Sequence, residues 1–194
     1  MIRSLSQGEL GAATRMLARS FDDDPLFRFL LPDASLRARW LVWFHRAALG
    51  EAVLAGQVRV AGDPSRGAIG YFLPGTFPAP VAASLRALGV PRARPTWRLV
   101  RSGIAAELRT RQLHPPFPHV YVRLLGVDPT EKGRGLGGAL LRAALDEAKR
   151  LGVRSYLETS NPVNLGFYRR HGLEVRDEFT VHGSPPIWTM ATSA

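Results

Sequence analysis

The chain of 194 residues contains no cysteine. This absence excludes disulfides, thiolate metal sites and a cysteine nucleophile, and with the nucleophile a covalent thioester on the protein. The longest stretch without charge, residues 67–85, includes three prolines, which a membrane-spanning helix would not accommodate. The N-terminal residues lack the apolar core of a signal peptide. We therefore expect a cytoplasmic protein without a membrane span.

Lysine is nearly absent too, since Lys132 and Lys149 are the only lysines among 26 basic residues. The net charge of +10 points to an anionic partner, although a GC-rich coding bias toward arginine explains it equally well. The surplus lies in residues 86–111, where Glu107 faces Arg86, Arg92, Arg94, Arg98, Arg101, Arg109 and Arg111. Nucleic-acid binding is the less favoured alternative, because no helix-turn-helix signal and no aromatic–basic alternation accompanies these arginines.

Length and composition predict a single domain over residues 1–194. Hydrophobic spacing predicts helices over residues 7–20, 35–50, 135–151 and 162–171, and a helical, arginine-rich region over 78–113. Strands are predicted at 58–61, 67–73, 119–127, 153–158, 174–181 and 187–191. The alternation of strands and helices in the last third implies a mixed, partly parallel α/β sheet with helices packed on it.

Residues 125–141 run from a strand through a glycine-rich turn into a helix. The glycines let a ligand approach the backbone, and the free N–H groups of the helix start suit a pyrophosphate. A Rossmann fingerprint is disfavoured despite the spacing Gly133-x-Gly135-x-x-Gly138, because the turn lies late in the chain and Glu158 is the sole acidic candidate after it. A P-loop fails, because no Gly-Lys-Ser/Thr follows.

This segment resembles the acyl-coenzyme A loop of the GNAT superfamily of N-acetyltransferases. It reads Val127-Asp128-Pro129 and then Lys132-Gly133-Arg134-Gly135-Leu136-Gly137, with lysine where the family has Gln or Arg. Residues 157–173 resemble the second family motif, with Leu173 in place of the usual Phe. Leu-Glu-Thr-Ser at 157–160 and Pro186-x-Trp188-x-Met190 are similar to the puromycin N-acetyltransferase branch.

The resemblance implies a central twisted sheet of six to seven strands, with a helical insertion before the fourth. Residues 1–118 would form the acceptor side and 119–194 the acetyl-coenzyme A-binding and catalytic half. The implied activity is acetyl transfer from acetyl-coenzyme A to a primary amine by direct attack in a ternary complex, without a metal.

A small antibiotic-like or aminonucleoside-like acceptor, and hence a role in antibiotic resistance, is favoured. A protein N-terminus or lysine, or an idle coenzyme A sensor, are alternatives. The oligomeric state stays open, with a homodimer as one option.

The family motifs also imply individual roles. Tyr168 corresponds to the tyrosine that protonates the coenzyme A sulfur, unless it is simply a packed aromatic. Backbone N–H groups of Leu125 or Val127 are candidate oxyanion donors, and Asn161 would bind the pantetheine or merely cap the following helix. The predicted cosubstrate-binding residues are Leu125, Gly126, Val127, Lys132, Gly133, Arg134, Gly135, Leu136, Gly137, Gly138, Asn161, Asn164 and Phe167.

The general base is the least determined role. Glu158 corresponds to a glutamate used by some family members, although it could instead bond neighbouring backbone. His119 and Tyr121 on the preceding strand, His182 and residues 22–24 are rivals. Phe21, Phe27, Phe29, Trp40, Trp43 and Phe44 are core residues by default, yet some could bind an aromatic cationic amine beside residues 22–24. The predicted acceptor-binding residues are Phe21, Asp24, Phe27, His119 and Tyr121.

Overall fold

The computed structural model describes residues 1–88 and 94–193, and its strands form one seven-stranded sheet. The strand order is β1-β2-β3-β4-β5-β7-β6, in which β4 and β5 are parallel and the other neighbours antiparallel. This confirms the predicted mixed α/β fold. The strands are β1 Ile2–Ser4, β2 Gln57–Ala61, β3 Gly67–Phe72, β4 His119–Val127, β5 Arg154–Thr159, β6 Leu173–Phe179 and β7 Ile187–Thr192.

Helices cover both faces of the sheet and form the expected insertion between β3 and β4. They are α1 Leu10–Ser20, α2 Pro25–Leu30, α3 Ala34–Ala55, α4 Val81–Leu88, α5 Trp97–Leu113, α6 Leu136–Arg150 and α7 Val163–Arg169. The predicted end of α3 at Gly50 is wrong. A Cβ at Gly50 would lie 3.0 Å from the Ala87 Cβ, so this glycine permits the close approach of α4 rather than ending the helix. Arg92 lies outside the described residues.

The two faces of the sheet bury separate apolar clusters. Leu17 of α1 and Leu49 of α3 pack with Phe72 on one face, while Leu140 and Leu141 of α6 pack under the other. Burial of these amphipathic faces is the main force that holds the helices on the sheet. Over residues 1–88 and 94–193, no helix is both long enough and apolar enough to cross a bilayer.

A β-bulge in β4 and the divergence of β4 from β5 open the sheet on one side. The two strands pair from His119 with Arg154 to Val122 with Leu157, and β4 then continues to Val127. On the β3 side, Val122 pairs with Tyr71 and Leu124 with Gly70, which leaves Arg123 as the extra residue of the bulge. The result is a gap between the C-terminal halves of two neighbouring parallel strands.

The end of α1 packs directly on β4 at Gly126, and a substitution at this glycine tests the packing. A Cβ there would lie 2.6 Å from Leu17 Cδ2 and 2.8 Å from Ser20 Oγ. We expect Gly126→Ala to lower the free energy of unfolding by about 1–3 kcal/mol, because α1 must shift. Gly103→Ala in α5 is the control, since a Cβ there meets nothing within 4 Å and should stabilise the helix by about 0.4–1 kcal/mol. Denaturant unfolding measures both, and equal effects of the two substitutions would contradict the packing.

Candidate active site

A cleft of about 710 Å³ opens at the gap between β4 and β5. Its walls come from α2, α3, α5 and α7 together with the two strands. Seven of the predicted site residues line it, namely Phe21, Asp24, Phe27, Leu125, Glu158, Asn164 and Tyr168. The fold therefore brings predicted site residues from the N-terminal and C-terminal parts of the chain together at the gap between β4 and β5.

The backbone of β4 directs one N–H group into the gap. Asp128 N–H donates to the Arg66 carbonyl on the β3 side at 2.8 Å, whereas Val127 N–H points the other way and donates to Ser20 Oγ at 3.2 Å. Because N–H directions alternate along a strand, Leu125 N–H points to the same side as Val127 N–H. Of the two candidate oxyanion donors, Val127 is thus engaged by Ser20, and Leu125 is directed into the gap.

The glycine-rich turn before α6 leaves space at the start of that helix. Gly133 and Gly135 have φ values of 81° and 78°, which other residues rarely adopt, and no atom lies within 4 Å of a Cβ built at either. The first intrahelical bond runs from Ala139 N–H to the Gly135 carbonyl. The N–H groups of Leu136, Gly137 and Gly138 therefore remain at the positive end of α6, as a bound pyrophosphate requires.

The charged residues of this turn differ in their surroundings. Lys132 is exposed, while Arg134 forms an ion pair with Glu131 at 3.1 Å. Glu131 is also paired with Arg66 at 3.0 Å. The turn thus offers both the space and the positive charge that acetyl-coenzyme A needs. Among the described residues, no group of three His, Asp or Glu side chains could hold a metal.

Residues of the second motif surround α7. Asn161 Oδ1 accepts a hydrogen bond from Val163 N–H at 3.1 Å, which is the capping arrangement left open by the sequence. Asn164 instead lines the cleft. The Phe167 ring lies 5.1 Å from the Tyr168 ring, and its Cζ is 3.7 Å from a Cβ built on Gly137. Phe167 therefore packs α7 against the start of α6, as a wall of the cosubstrate site would.

Tyr168 keeps its hydroxyl proton at neutral pH. Its side chain is buried and lines the cleft. Burial raises the pKa of the Tyr168 hydroxyl, and the negative charge of Asp24 raises it further. The phenol therefore stays protonated at neutral pH, as the proton donor to a leaving thiolate must be.

Glu158 is half-buried near the end of β5, with its Oε1 atom buried, and belongs to a chain of polar side chains. Tyr121 OH donates to Glu158 Oε2 at 2.8 Å, Arg123 Nη1 donates to Tyr121 Oη at 3.2 Å, and Arg123 approaches Glu107 at 3.7 Å. Burial raises the pKa of Glu158 to about 7, although the charge of Arg123 opposes the shift. A carboxylate that titrates near neutral pH is suited to accept a proton from an amine.

Sequence reasoning missed Arg123 as a site residue. It is the bulged residue of β4, and apart from the titratable His119 it is the one charged side chain in the strand His119–Val127. An isolated charge on a buried strand must be compensated. The lone arginine in this strand was therefore the signal in the sequence that could have identified Arg123. Glu107 was noticed as the lone acid among arginines, but its contact with β4 depends on the packing of α5.

His119 lies at the start of β4, outside the cleft. It lines a second pocket of about 330 Å³ together with His114 and Tyr121. The Nε2 atoms of His119 and His114 are 3.0 Å apart, and His119 Nδ1 is 2.7 Å from the Phe117 carbonyl oxygen. Tyr121 also lines this pocket, but its hydroxyl contacts Glu158. The acceptor-binding roles of His119 and Tyr121 stay predictions.

The remaining candidates for the general base either form other contacts or do not line the cleft. Asp22 pairs with Arg37 at 3.0 Å, and Asp23 with Arg28 at 3.4 Å. Asp24 accepts bonds from Leu26 and Phe27 N–H at the start of α2 and from Ser160 OH at 2.8 Å, and burial raises its pKa. His182 is exposed in the turn between β6 and β7 and is not among the residues that line the cleft.

Comparisons with known proteins agree with this geometry. A model described as the acetyltransferase (GNAT) family matches residues 89–173. N-alpha-acetyltransferase RimI from Mycobacterium tuberculosis is 39% identical over 106 residues, which cover 52% of this chain and 64% of that protein. Mycothiol acetyltransferase from Geodermatophilus obscurus is 36% identical over 90 residues, covering 41% and 27%. The chain therefore spans less than two thirds of either relative.

The fold is also found among solved structures. A Corynebacterium glutamicum structure described as histone acetyltransferase HPA2 and related acetyltransferase has a TM-score of 0.69 and 20% identity, and covers 100% of this chain and 96% of that one. The chain therefore has the fold of this structure, and a region shorter than half of the chain is similar to the GNAT family. The predicted likeness to the puromycin N-acetyltransferase branch is not confirmed by these relatives.

Because burial raises the pKa of Glu158, we expect the free energy of unfolding to depend on pH. Its pKa is about 7 in the folded chain against 4.5 when unperturbed, so the folded state holds a proton that the unfolded state loses first. Stability conferred by the neutral form is therefore lost as pH rises from about 4.5 to 7. We expect Glu158→Gln, which stays neutral, to gain roughly 3 kcal/mol relative to wild type across this window. Unfolding curves of both proteins between pH 4.5 and 8 measure the difference, and a constant difference would contradict the raised pKa.

Proposed function

We propose that the chain is an acetyl-coenzyme A-dependent N-acetyltransferase that acts on a primary amine by direct attack in a ternary complex. The observation that carries the proposal is the common opening of three groups on one cleft. Leu125 N–H is directed into the gap between β4 and β5, and Tyr168 and Glu158 line the same cleft. The helix start at Gly135, suited to a pyrophosphate, follows β4 directly.

The arrangement supports one sequence of bond changes. The neutral amine nitrogen attacks the thioester carbonyl carbon, and Leu125 N–H donates a hydrogen bond to the oxygen as it becomes negative. Glu158 accepts the proton that the amine nitrogen loses. The carbon–sulfur bond then breaks, and the Tyr168 hydroxyl gives its proton to the departing thiolate, which leaves as coenzyme A. Tyr168 regains a proton from solvent.

A small, antibiotic-like or aminonucleoside-like molecule is the favoured acceptor, in the cytoplasm. The whole cleft, of which α2, α3 and α5 form one side, has a volume of about 710 Å³, which lies in the range of small-molecule sites. A protein N-terminus is the second candidate, because the M. tuberculosis relative is named an N-alpha-acetyltransferase. Coenzyme A release with a panel of small amines and of short peptides separates the two. Turnover confined to peptides would favour the second candidate, and no turnover with either class would refute acetyl transfer.

Tyr168→Phe tests the proton donor. We expect kcat to fall by about 10²–10⁴, while the Kd of acetyl-coenzyme A stays within about threefold, because the change removes one hydroxyl from the reaction step. Tyr71→Phe is a matched control, since Tyr71 is buried in β3 and does not line the cleft. Steady-state kinetics and calorimetric binding give the two quantities. An unchanged kcat in Tyr168→Phe would remove the acid role.

The pH profile tests Glu158 as the base. Since the carboxylate form is required, kcat/KM should rise with pH through about 7, the pKa of Glu158. Glu158→Gln should abolish this limb and lower kcat/KM by about 10²–10⁴, leaving only the limb of the acceptor amine at higher pH. Removing the opposing charge with Arg123→Met should raise the pKa of Glu158 and move the limb to higher pH.

Rate profiles between pH 5.5 and 9.5 measure these changes. An unaltered limb in Glu158→Gln would assign it to another group. A limb that stays in place in Arg123→Met would show that Arg123 does not act on the base.

A further inference from the structure

We infer that the acceptor is a monoamine with an apolar, preferably aromatic, body, and that the cleft discriminates against polyamines and peptides. This deepens the proposed function and rests on it, because the bound amine is taken to be the acetyl acceptor. Two independent features of the cleft carry the inference, the apolar character of its wall and the ion pairs and hydrogen bonds that its carboxylates already form.

The wall on the side of α2, α3 and α5, here called the acceptor chamber, is built from large apolar side chains. Phe27 and Phe44 meet edge to face at 5.2 Å, and Trp40 and Trp43 do so at 5.1 Å. All four line the cleft. These rings present an apolar surface across from the reacting groups, so they favour an apolar body attached to the amine.

The rim of the chamber is apolar as well. Ile104 and Leu108 project from α5 into the lining of the cleft, and they are 57% and 55% exposed. Large apolar side chains grouped at the mouth of a cleft indicate a ligand-binding surface. Water now covers an area that an apolar acceptor would cover on binding, and this burial would favour its association.

The carboxylates inside the cleft already have protein partners. Among the cleft-lining residues that the structure describes, five are charged. Glu107 is paired with Arg111 and Arg123, Asp24 accepts bonds from the start of α2 and from Ser160, and Glu158 Oε2 accepts one from Tyr121. Of these carboxylates, only Glu158, the proposed base, has a buried oxygen without a hydrogen bond, Oε1, and the two arginines repel a cation.

A second ammonium group in the chamber would be poorly accommodated. It would lose its hydration, which is costly, and the one cleft carboxylate with an unpartnered buried oxygen, Glu158, is the proposed base that the reacting amine uses. A single amine avoids this cost, because it is neutral when it attacks the thioester. A peptide would bring backbone N–H and C=O groups against an apolar wall and lose their hydrogen bonds to water. Apolar monoamines are the class that pays neither penalty.

Acceptor discrimination is the first test. The probes are 2-phenylethylamine, ethylamine, spermidine and an alanine-initiated tetrapeptide, with acetyl-coenzyme A as donor. We expect kcat/KM for 2-phenylethylamine to exceed that for ethylamine by about 30-fold or more, from burial of the ring, and to exceed those for spermidine and the peptide. Faster turnover of spermidine or of the peptide than of 2-phenylethylamine would overturn the inference and leave acetyl transfer intact.

Variants of the chamber give a second test. Trp43→Ala should reduce the ratio of kcat/KM for 2-phenylethylamine over ethylamine by about tenfold, whereas Trp97→Ala, a change of an exposed tryptophan on α5 outside the cleft lining, should not alter it. Ile104→Asp adds an unpaired carboxylate at an exposed helical position and should raise the ratio for spermidine over 2-phenylethylamine. Unchanged ratios in both chamber variants would contradict the assigned wall.

Binding separates failure of the inference from failure of the proposed function. Calorimetry of 2-phenylethylamine and spermidine with the coenzyme A complex of the chain requires no turnover. Trp43-dependent binding of 2-phenylethylamine without acetylation of any probe would refute acetyl transfer and support the chamber. Equal binding of 2-phenylethylamine to wild type and Trp43→Ala would refute the chamber whatever the activity.

Discussion

Beyond the pair formed by Val122 and Leu157, β4 and β5 run apart, and the candidate site is arranged around that gap. Parallel neighbours normally satisfy each other's N–H and C=O groups along their length. Here β4 after the bulge at Arg123 pairs on one side only, with β3, and its other edge borders the gap. The end of α1 packs closely on Gly126 in this half of the strand. Pairing with β3 and packing of α1 therefore hold the end of β4, while its edge toward β5 stays unpaired.

Electrostatics inside the cleft and on the surface follow different rules. A partly buried chain of polar side chains, from Glu107 through Arg123 and Tyr121 to Glu158, links the insertion helix α5 to the two central strands. Each member has a polar neighbour, which lowers the cost of burial. The pKa of Glu158 is nevertheless raised to about 7. The arginine surplus lies mostly at the surface, where the described members are exposed: Arg86, Arg94, Arg98, Arg101, Arg109 and Arg111. Coding bias therefore remains its simplest explanation.

Local sequence patterns predicted most helices and strands. The features that they did not predict depend on tertiary contacts. The glycine turn, the start of α6 and the strand–helix alternation follow from spacing and glycine chemistry, so the fold and the position of the glycine turn were predictable. The continuation of α3 past Gly50 depended on α4, and the role of Arg123 depended on a bulge that pairing with β3 creates. The engagement of Val127 N–H by Ser20 likewise joins residues distant in the chain. Such partners leave no periodic signal in the sequence.

A crystal structure of the chain with acetyl-coenzyme A tests the central claim, that the gap between β4 and β5 holds the thioester. The account predicts the carbonyl oxygen within about 3.2 Å of Leu125 N, in hydrogen-bonding distance. The sulfur should face the Tyr168 hydroxyl, and the pyrophosphate should lie on the N–H groups of Leu136, Gly137 and Gly138. A thioester bound outside the gap, or a Tyr168 side chain turned away from the sulfur, would contradict it.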